Sequence, residues 1–213
     1  MSIVFVDLEM KPVSKEFPEQ RALSSMETIE FGAVKLQGAE ETDAFCRLVK
    51  PAYGPIPPRY EALTGITNEA VDDAEPFTEV FTAFFEWCGD ADTIYAWSTS
   101  DLAQLRRDAA LHPEAPSLEP LALKWQDYQR IFTEKLGLHR ELSLKQAAEI
   151  VDLDMEGQLH DALWDARNTA ALYRLTLDPV RWKEIAGRFK RTVNNDAPVT
   201  YSLASLFAGW DKK

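Results

Sequence analysis

Apolar and polar positions fall into blocks along the chain that predict most of its elements. Near the start, Ile3–Leu8, Ile29–Leu36 and Ala44–Val49 are apolar or alternate with the period of a strand. The polar stretch Lys11–Glu27 and the turn region Gly38–Asp43 separate them, which predicts three strands in a meander. Pro51 to Pro58 holds four prolines and one glycine and reads as a loop. Leu63-Thr64-Gly65-Ile66-Thr67 follows as a turn, with Thr67 placed to cap a short helix. From Pro76 to Cys88, Phe77, Val80, Phe81, Phe84 and Phe85 recur at helical spacing.

Thr93–Trp97 predicts a fourth strand, with Ser98–Ser100 as caps for a helix over Asp101–Leu111. Leu121–Trp125 predicts a short fifth strand. Ser143-Leu144-Lys145-Gln146 is a capping box that opens a helix through Val151. A last helix runs from about Ala162 to Leu175, ahead of Asp178-Pro179. Three strands followed by alternating helices and strands imply an α/β fold, a mixed sheet with helices on its faces. The 213 residues suit one domain with a sizeable core.

Composition narrows the setting. No stretch approaches a membrane span, and no basic region precedes the first apolar run, so no secretory signal and no membrane partner are expected. Cys46 and Cys88 lie in apolar stretches and form no metal or redox spacing. They are expected as buried free thiols in a reducing compartment, and a cytoplasmic location is the corresponding expectation.

Formal net charge is −12, which argues against a protein that binds nucleic acid through a broad basic surface. The distribution is uneven, because residues 180–213 hold seven basic and three acidic side chains. An acidic body with a basic tail fits an enzyme that holds metal in a carboxylate cleft, and fits equally a solvated basic helix. In that tail Trp182, Ile185 and Phe189 are spaced to pack a helix onto the body. The cations beside them, Arg181, Lys183, Arg188, Lys190 and Arg191, would be solvated or would guide a phosphate backbone.

The candidate chemistry begins with Asp7 and Glu9 at the end of the run Ile3-Val4-Phe5-Val6. Residues two apart on a strand share a face, roughly 6 to 7 Å apart. Two like charges held there would repel, and a divalent cation between them is the usual relief. Asp101, just past the strand ending at Trp97, and Asp165, in the first turns of the late helix, are further acidic candidates. Asp101 is also explained by the helix dipole alone. His160 and Asp165, five apart, can converge only if His160 lies in the loop before the helix.

Three segments together resemble a known family. Val4-Phe5-Val6-Asp7-Leu8-Glu9, Trp97-Ser98-Thr99-Ser100-Asp101-Leu102 and His160-Asp161-Ala162-Leu163-Trp164-Asp165-Ala166 look like the three exonuclease motifs of the DEDDh superfamily. This is the DnaQ-like, ribonuclease H-like group of 3′→5′ exonucleases. Glu30-Phe31-Gly32-Ala33-Val34 and Leu63-Thr64-Gly65-Ile66-Thr67 support the likeness. The runs Glu156–His160 and Asp165–Ala170 bring it nearest to the ERI-like, histone-mRNA branch. The likeness covers roughly residues 2–176. The chain departs from the family at Met10, where many members have Thr, and at Ser98 and Thr99, where Gly or Asn is usual.

The resemblance implies a ribonuclease H-like domain over residues 1–178 and a short basic helical extension over 179–213, packed on or near it. It implies two ions per site, Mg²⁺ or Mn²⁺, held by Asp7, Glu9, Asp101 and Asp165, with Asp7 bridging both. Glu9 and Asp165 would help hold the water-activating ion, Asp101 would support the second, and His160 would serve as general base. Leu8, Met10, Leu63, Trp97 and Ser98 would line the terminal-nucleotide pocket, with Met10, Leu63 and Trp97 stacking on bases. Core packing is the competing explanation for Leu63 and Trp97. The implied substrate is a single-stranded nucleic-acid 3′ end, RNA ahead of DNA, with nucleoside 5′-monophosphates as products. A single-stranded DNA or proofreading-type exonuclease is the alternative, and an inactive binding module of the same fold is a third reading.

Overall fold

A computed structural model describes the backbone of residues 1–194 and the side chains through Gly187. The elements are β1 (Ser2–Pro12), α1 (Pro18–Leu23), β2 (Met26–Gln37), β3 (Glu40–Lys50), α2 (Pro58–Thr64), α3 (Asn68–Asp72), β4 (Glu75–Pro76) and α4 (Phe77–Cys88). They continue with β5 (Thr93–Ala96), α5 (Ser100–Leu111), α6 (Glu119–Ala122), β6 (Trp125–Asp127), α7 (Tyr128–Leu136), α8 (Leu144–Ile150), α9 (Ala162–Leu177) and α10 (Pro179–Asn194). The strands form one sheet in the order β4-β3-β2-β1-β5-β6. β1, β2 and β3 are the antiparallel meander, while β5 runs parallel to β1 and β6 parallel to β5.

Strand alternation divides β1 between two cores. Val4, Val6 and Leu8 pack with Phe31, Phe77, Phe81, Phe84 and Leu105 on one face. Ile3 and Phe5 pack on the other with Tyr128, Phe132, Leu144 and Leu172. Asp7 and Glu9 continue this second face where its apolar filling ends. They lie within β1 rather than past it, because pairing with β2 carries the strand on to Pro12.

The register of β1 with β2 shifts between Glu9 and Met10, so that Glu30 faces Glu9 and Thr28 faces Met10, leaving Ile29 as the extra residue. Bulges of this kind bend a strand and re-aim side chains near functional sites. Below the bulge lies a buried polar knot. The Lys11 ammonium pairs with Glu27, both almost fully inaccessible. Thr28 Oγ1 is 2.6 Å from Asp108 Oδ2, and Gln104 Nε2 donates to Asp108 Oδ1 at 3.0 Å.

Gly32, opposite Asp7 in β2, decides where α9 sits. A Cβ at this position would lie 2.1 Å from the Ala162 carbonyl carbon and the Leu163 nitrogen. The first turn of α9 therefore rests directly on the β2 backbone. Glu30, two residues earlier on the same face, accepts the Ala162 N–H at 3.1 Å and so holds an N-terminal amide that the helix cannot satisfy itself.

Several expectations need correction. The strand expected over Leu121–Trp125 is instead the turn of helix α6 followed by β6. Pro120 starts that turn, which buries Leu121 and leaves Leu123 86% exposed. Cys46 is exposed, not buried, because β3 alternation puts it on the face opposite Phe45 and Val49, whereas Cys88 is buried. Thr99, the N-cap of α5, makes no side-chain cap bond, and Ser98 Oγ accepts the Ser100 N–H instead.

The Ser143–Gln146 capping box and the Thr67 cap are both present. The helix α10 packs through Ile185, which is buried, and Trp182, whose ring meets Phe132 edge-on at 5.7 Å. The side chains of Arg188, Phe189, Lys190 and Arg191 lie outside the described residues, as does everything beyond Asn194. Among the described residues no helix is long and apolar enough to cross a membrane.

Two expected outcomes test this architecture. Gly32→Ala should destabilise the protein by about 1–3 kcal/mol in urea unfolding, because α9 must lift off β2; an unchanged midpoint would show that α9 seats elsewhere. The second concerns Asp108, whose carboxyl is pushed up to about 7 by burial, against the opposing hydrogen bonds from Thr28 and Gln104. Its folded pKa lies above the unfolded one, so the folded state binds the extra proton and stability falls as pH rises from about 4 to about 7. Asp108→Asn should flatten that part of the stability–pH curve by up to a few kcal/mol relative to wild type. Parallel curves for the two proteins would refute the assignment.

Candidate active site

One cavity of about 360 Å³ brings the expected acidic residues together. Its lining includes Asp7, Glu9, Asp101, His160 and Asp165. Asp7 and Glu9 come from β1, Asp101 from the first turn of α5, and Asp165 from the first turn of α9. His160 stands in the loop before α9, as convergence required, with a left-handed backbone at φ 64°.

Hydrogen bonds tie these carboxylates to the backbone around them. Asp101 Oδ1 accepts the Leu8 N–H at 3.2 Å, which locks the start of α5 to β1. Asp165 Oδ2 accepts the His160 N–H at 3.1 Å. His160 Nδ1 lies 3.9 Å from Glu9 Oε1, with the imidazole half-exposed over a nearly buried Glu9. Asp161 caps α9 by accepting the Trp164 N–H.

Crowding shows in the protonation of the group. Burial and then the charges of Asp101, Asp165, Glu9 and Glu30 hold the Asp7 carboxyl well above the ordinary carboxylate range. Burial, followed by Asp165, Glu30, Asp101 and Asp161, pushes Glu9 up to about 8. Asp101 is pushed up to about 6 by burial, against hydrogen bonds from its own amide, Ser100 and Leu8. Asp165 is raised by burial, against the His160 N–H. Four carboxyls share a space that cannot hold them all ionised without a counter-charge.

A divalent metal fits this donor set. Ligand atoms of Glu9, His160 and Asp165 all lie within 4.8 Å of one another. Asp165 Oδ1 is buried and has no hydrogen-bond partner. An orphaned carboxylate oxygen facing a carboxylate cluster costs free energy that a cation would recover. The oxygen-rich set suits a hard ion rather than zinc.

The expected substrate-pocket residues divide in their roles. Met10, Leu63 and Ser98 line the cavity, and Leu63 is 44% exposed and free to meet a ligand. Leu8 sends its side chain into the opposite core and contributes through its amide. Trp97 also lines the cavity, but as a fixed wall: it is buried, donates Nε1–H to the Leu142 carbonyl at 3.1 Å and packs against Tyr128 and Phe132.

Met26, Tyr60 and Leu144 also line the cavity and were not anticipated. Tyr60 and Leu63 share α2, whose start at Pro58 is the one available signal, since proline is favoured at the first helical position. Met26 and Leu144 carried no signal beyond being apolar.

Comparison with known proteins agrees with this arrangement. Residues 4–173 match the family described as Exonuclease. The chain belongs to that family, and its fold is that of the DEDDh 3′ exonucleases in the ribonuclease H-like group. It is 29% identical over 157 residues to the DNA polymerase III subunit epsilon of Aquifex aeolicus, covering 74% of this chain and 75% of that protein. It is 30% identical over 159 residues to a putative bifunctional exonuclease/endonuclease protein of Mycobacterium tuberculosis, covering 71% of this chain and only 23% of that protein. Among solved structures, the nuclease domain of 3′hExo, a DEDDh family member bound to rAMP, superimposes with a TM-score of 0.72 at 24% identity. That match covers 84% of this chain and 94% of the other.

If the carboxylates repel in the metal-free protein, Asp7→Asn should remain folded and raise its stability by about 1 kcal/mol, or about 2–4 °C in Tm. The same variant should lose most of the Tm gain that Mn²⁺ gives the wild type. A lower Tm without metal would show that Asp7 is held by stabilising partners rather than crowded.

Proposed function

We propose that this chain is a divalent-metal-dependent exonuclease that removes nucleotides from the 3′ end of single-stranded nucleic acid, RNA ahead of DNA, releasing nucleoside 5′-monophosphates. The observation that carries this reading is the convergence of Asp7, Glu9, Asp101, Asp165 and His160 on one open cavity. Two Mg²⁺ or Mn²⁺ ions held by the four carboxylates would polarise the phosphate and lower the pKa of an attacking water.

The side chains then have distinct tasks. His160 takes a proton from the attacking water, a role supported by its half-exposed imidazole beside Glu9. The water oxygen bonds to phosphorus as the P–O3′ bond breaks, and O3′ leaves as an alkoxide that takes a proton from solvent, which gives a new 3′-hydroxyl on the shortened strand. Met10, Leu63 and Tyr60 offer apolar surface to the terminal base, and Trp97 closes the wall behind it.

The preference for RNA rests on the ERI-like runs Glu156–His160 and Asp165–Ala170, with the rAMP-bound neighbour as an analogy of fold. A DNA reading has its own support in the 29% identity to a DNA polymerase III subunit. Both readings use the same acidic core, because discrimination depends on contacts to the 2′-hydroxyl.

Excess chelator should abolish release of 5′-monophosphates from a 3′-labelled oligonucleotide, and Mg²⁺ or Mn²⁺ should restore it. His160→Ala should lower kcat by about 10²- to 10⁴-fold while leaving Mn²⁺ binding intact. RNA should be degraded with a higher kcat/KM than DNA of the same sequence. Full activity in chelator would sink the whole reading, whereas a DNA preference would overturn only the choice of substrate.

A further inference from the structure

The loop that presents His160 is held in an unfavourable shape by contacts to α9, two of them from residues outside the acidic cluster. His160 takes a left-handed backbone at φ 64°, although it is neither glycine nor buried. Such a conformation costs about 1–2 kcal/mol and persists only where the surroundings over-determine it. Residues 156–160 are all exposed, so core burial does not supply the constraint.

Three residues of α9 do. Asn168, almost fully buried, accepts the Glu156 N–H at Oδ1 and donates Nδ2–H to the Glu156 carbonyl, both at 3.0 Å. Gly157, at φ 73°, lies flat on the Trp164 indole, where a Cβ would fall 2.1 Å from the ring. At the far end of the loop the His160 N–H reaches Asp165. Trp164, Asp165 and Asn168 fall within little more than one turn, so Asn168 shares a helix face with the other two. The loop is thus fastened to the same helix that carries an acidic residue of the site.

We propose that Asn168 is a positioning residue for His160: its two bonds to Glu156 fix the entry to the loop, which sets the imidazole against Glu9 and Asp165. This rests on the proposed role of His160 as general base. The exposed Glu156 backbone can bond to water once the amide is gone, so losing Asn168 should free the loop at little cost to the fold.

The test is a double-mutant cycle read alongside amide hydrogen exchange. Asn168→Ala should lower kcat on a short oligonucleotide about tenfold or more, with KM and the Mn²⁺ Kd from calorimetry unchanged. In the His160→Ala background the same substitution should cost nothing further. Asn168→Asp, which keeps the acceptor for the Glu156 N–H, should recover part of the loss. In metal-free Asn168→Ala the His160 N–H should exchange about tenfold faster or more, although its partner Asp165 is untouched. Equal losses of rate in both backgrounds, or weakened Mn²⁺ binding, would show that Asn168 acts through α9 as a whole and would overturn the proposal. Unchanged exchange at the His160 N–H would overturn it as well. Should His160→Ala keep the wild-type rate, the general-base reading falls, and the exchange measurement still decides whether Asn168 fixes the loop.

Discussion

The first turn of α9 lies against β2 at a distance that only a residue without a side chain permits. With Gly32 beneath it and the Glu30 carboxylate accepting its first amide, the helix start is fixed in both height and direction. Every member of the cluster on the C-terminal side depends on that seat. Asp165 meets β1 because it is in that first turn, and His160 meets Glu9 because its loop enters the same helix. A helix sitting one side-chain thickness higher would keep the fold and lose the cluster.

β1 carries the complementary constraint. One of its two buried faces is apolar at Ile3 and Phe5 and acidic at Asp7 and Glu9, so one strand runs from core into site without a change of backbone. The regular register of β1 with β2 sets Glu30 opposite Glu9, just before the bulge at Ile29, which adds a fifth carboxyl to the crowd. That arrangement works against stability while no cation is bound, as the raised carboxyls of Asp7 and Glu9 express. The aromatic packing of Phe5 with Tyr95, Tyr128 and Tyr173 behind the acidic pair is the kind of rigid support such a cluster requires.

Much of this was legible in the residues themselves. Alternation announces the meander, because a half-buried strand must change face at every residue. The phenylalanines of α4 and the capping box at Ser143 announce their helices by local spacing alone. The motif residues Asp7, Glu9, Asp101, His160 and Asp165 could be picked out by resemblance. What went unread were α1, α2 and α7, where proline-rich or polar sequence hid a short helix, and the strand expected at Leu121–Trp125, where proline at position 120 imposed a helical turn first.

Sequence by itself determined the meander strands, the helices with clear apolar spacing or caps, the shared face of Asp7 and Glu9, and the identities of the acidic residues, since each follows from local periodicity or from a short motif. Only the tertiary structure decided that Trp97 is fixed in the wall of the cavity, that Tyr60 and Leu144 face the same cavity, and that Asn168 reaches back to Glu156. These are contacts between positions far apart in the chain or across a loop. They are set by how closely helices approach the sheet, and no local pattern encodes that distance.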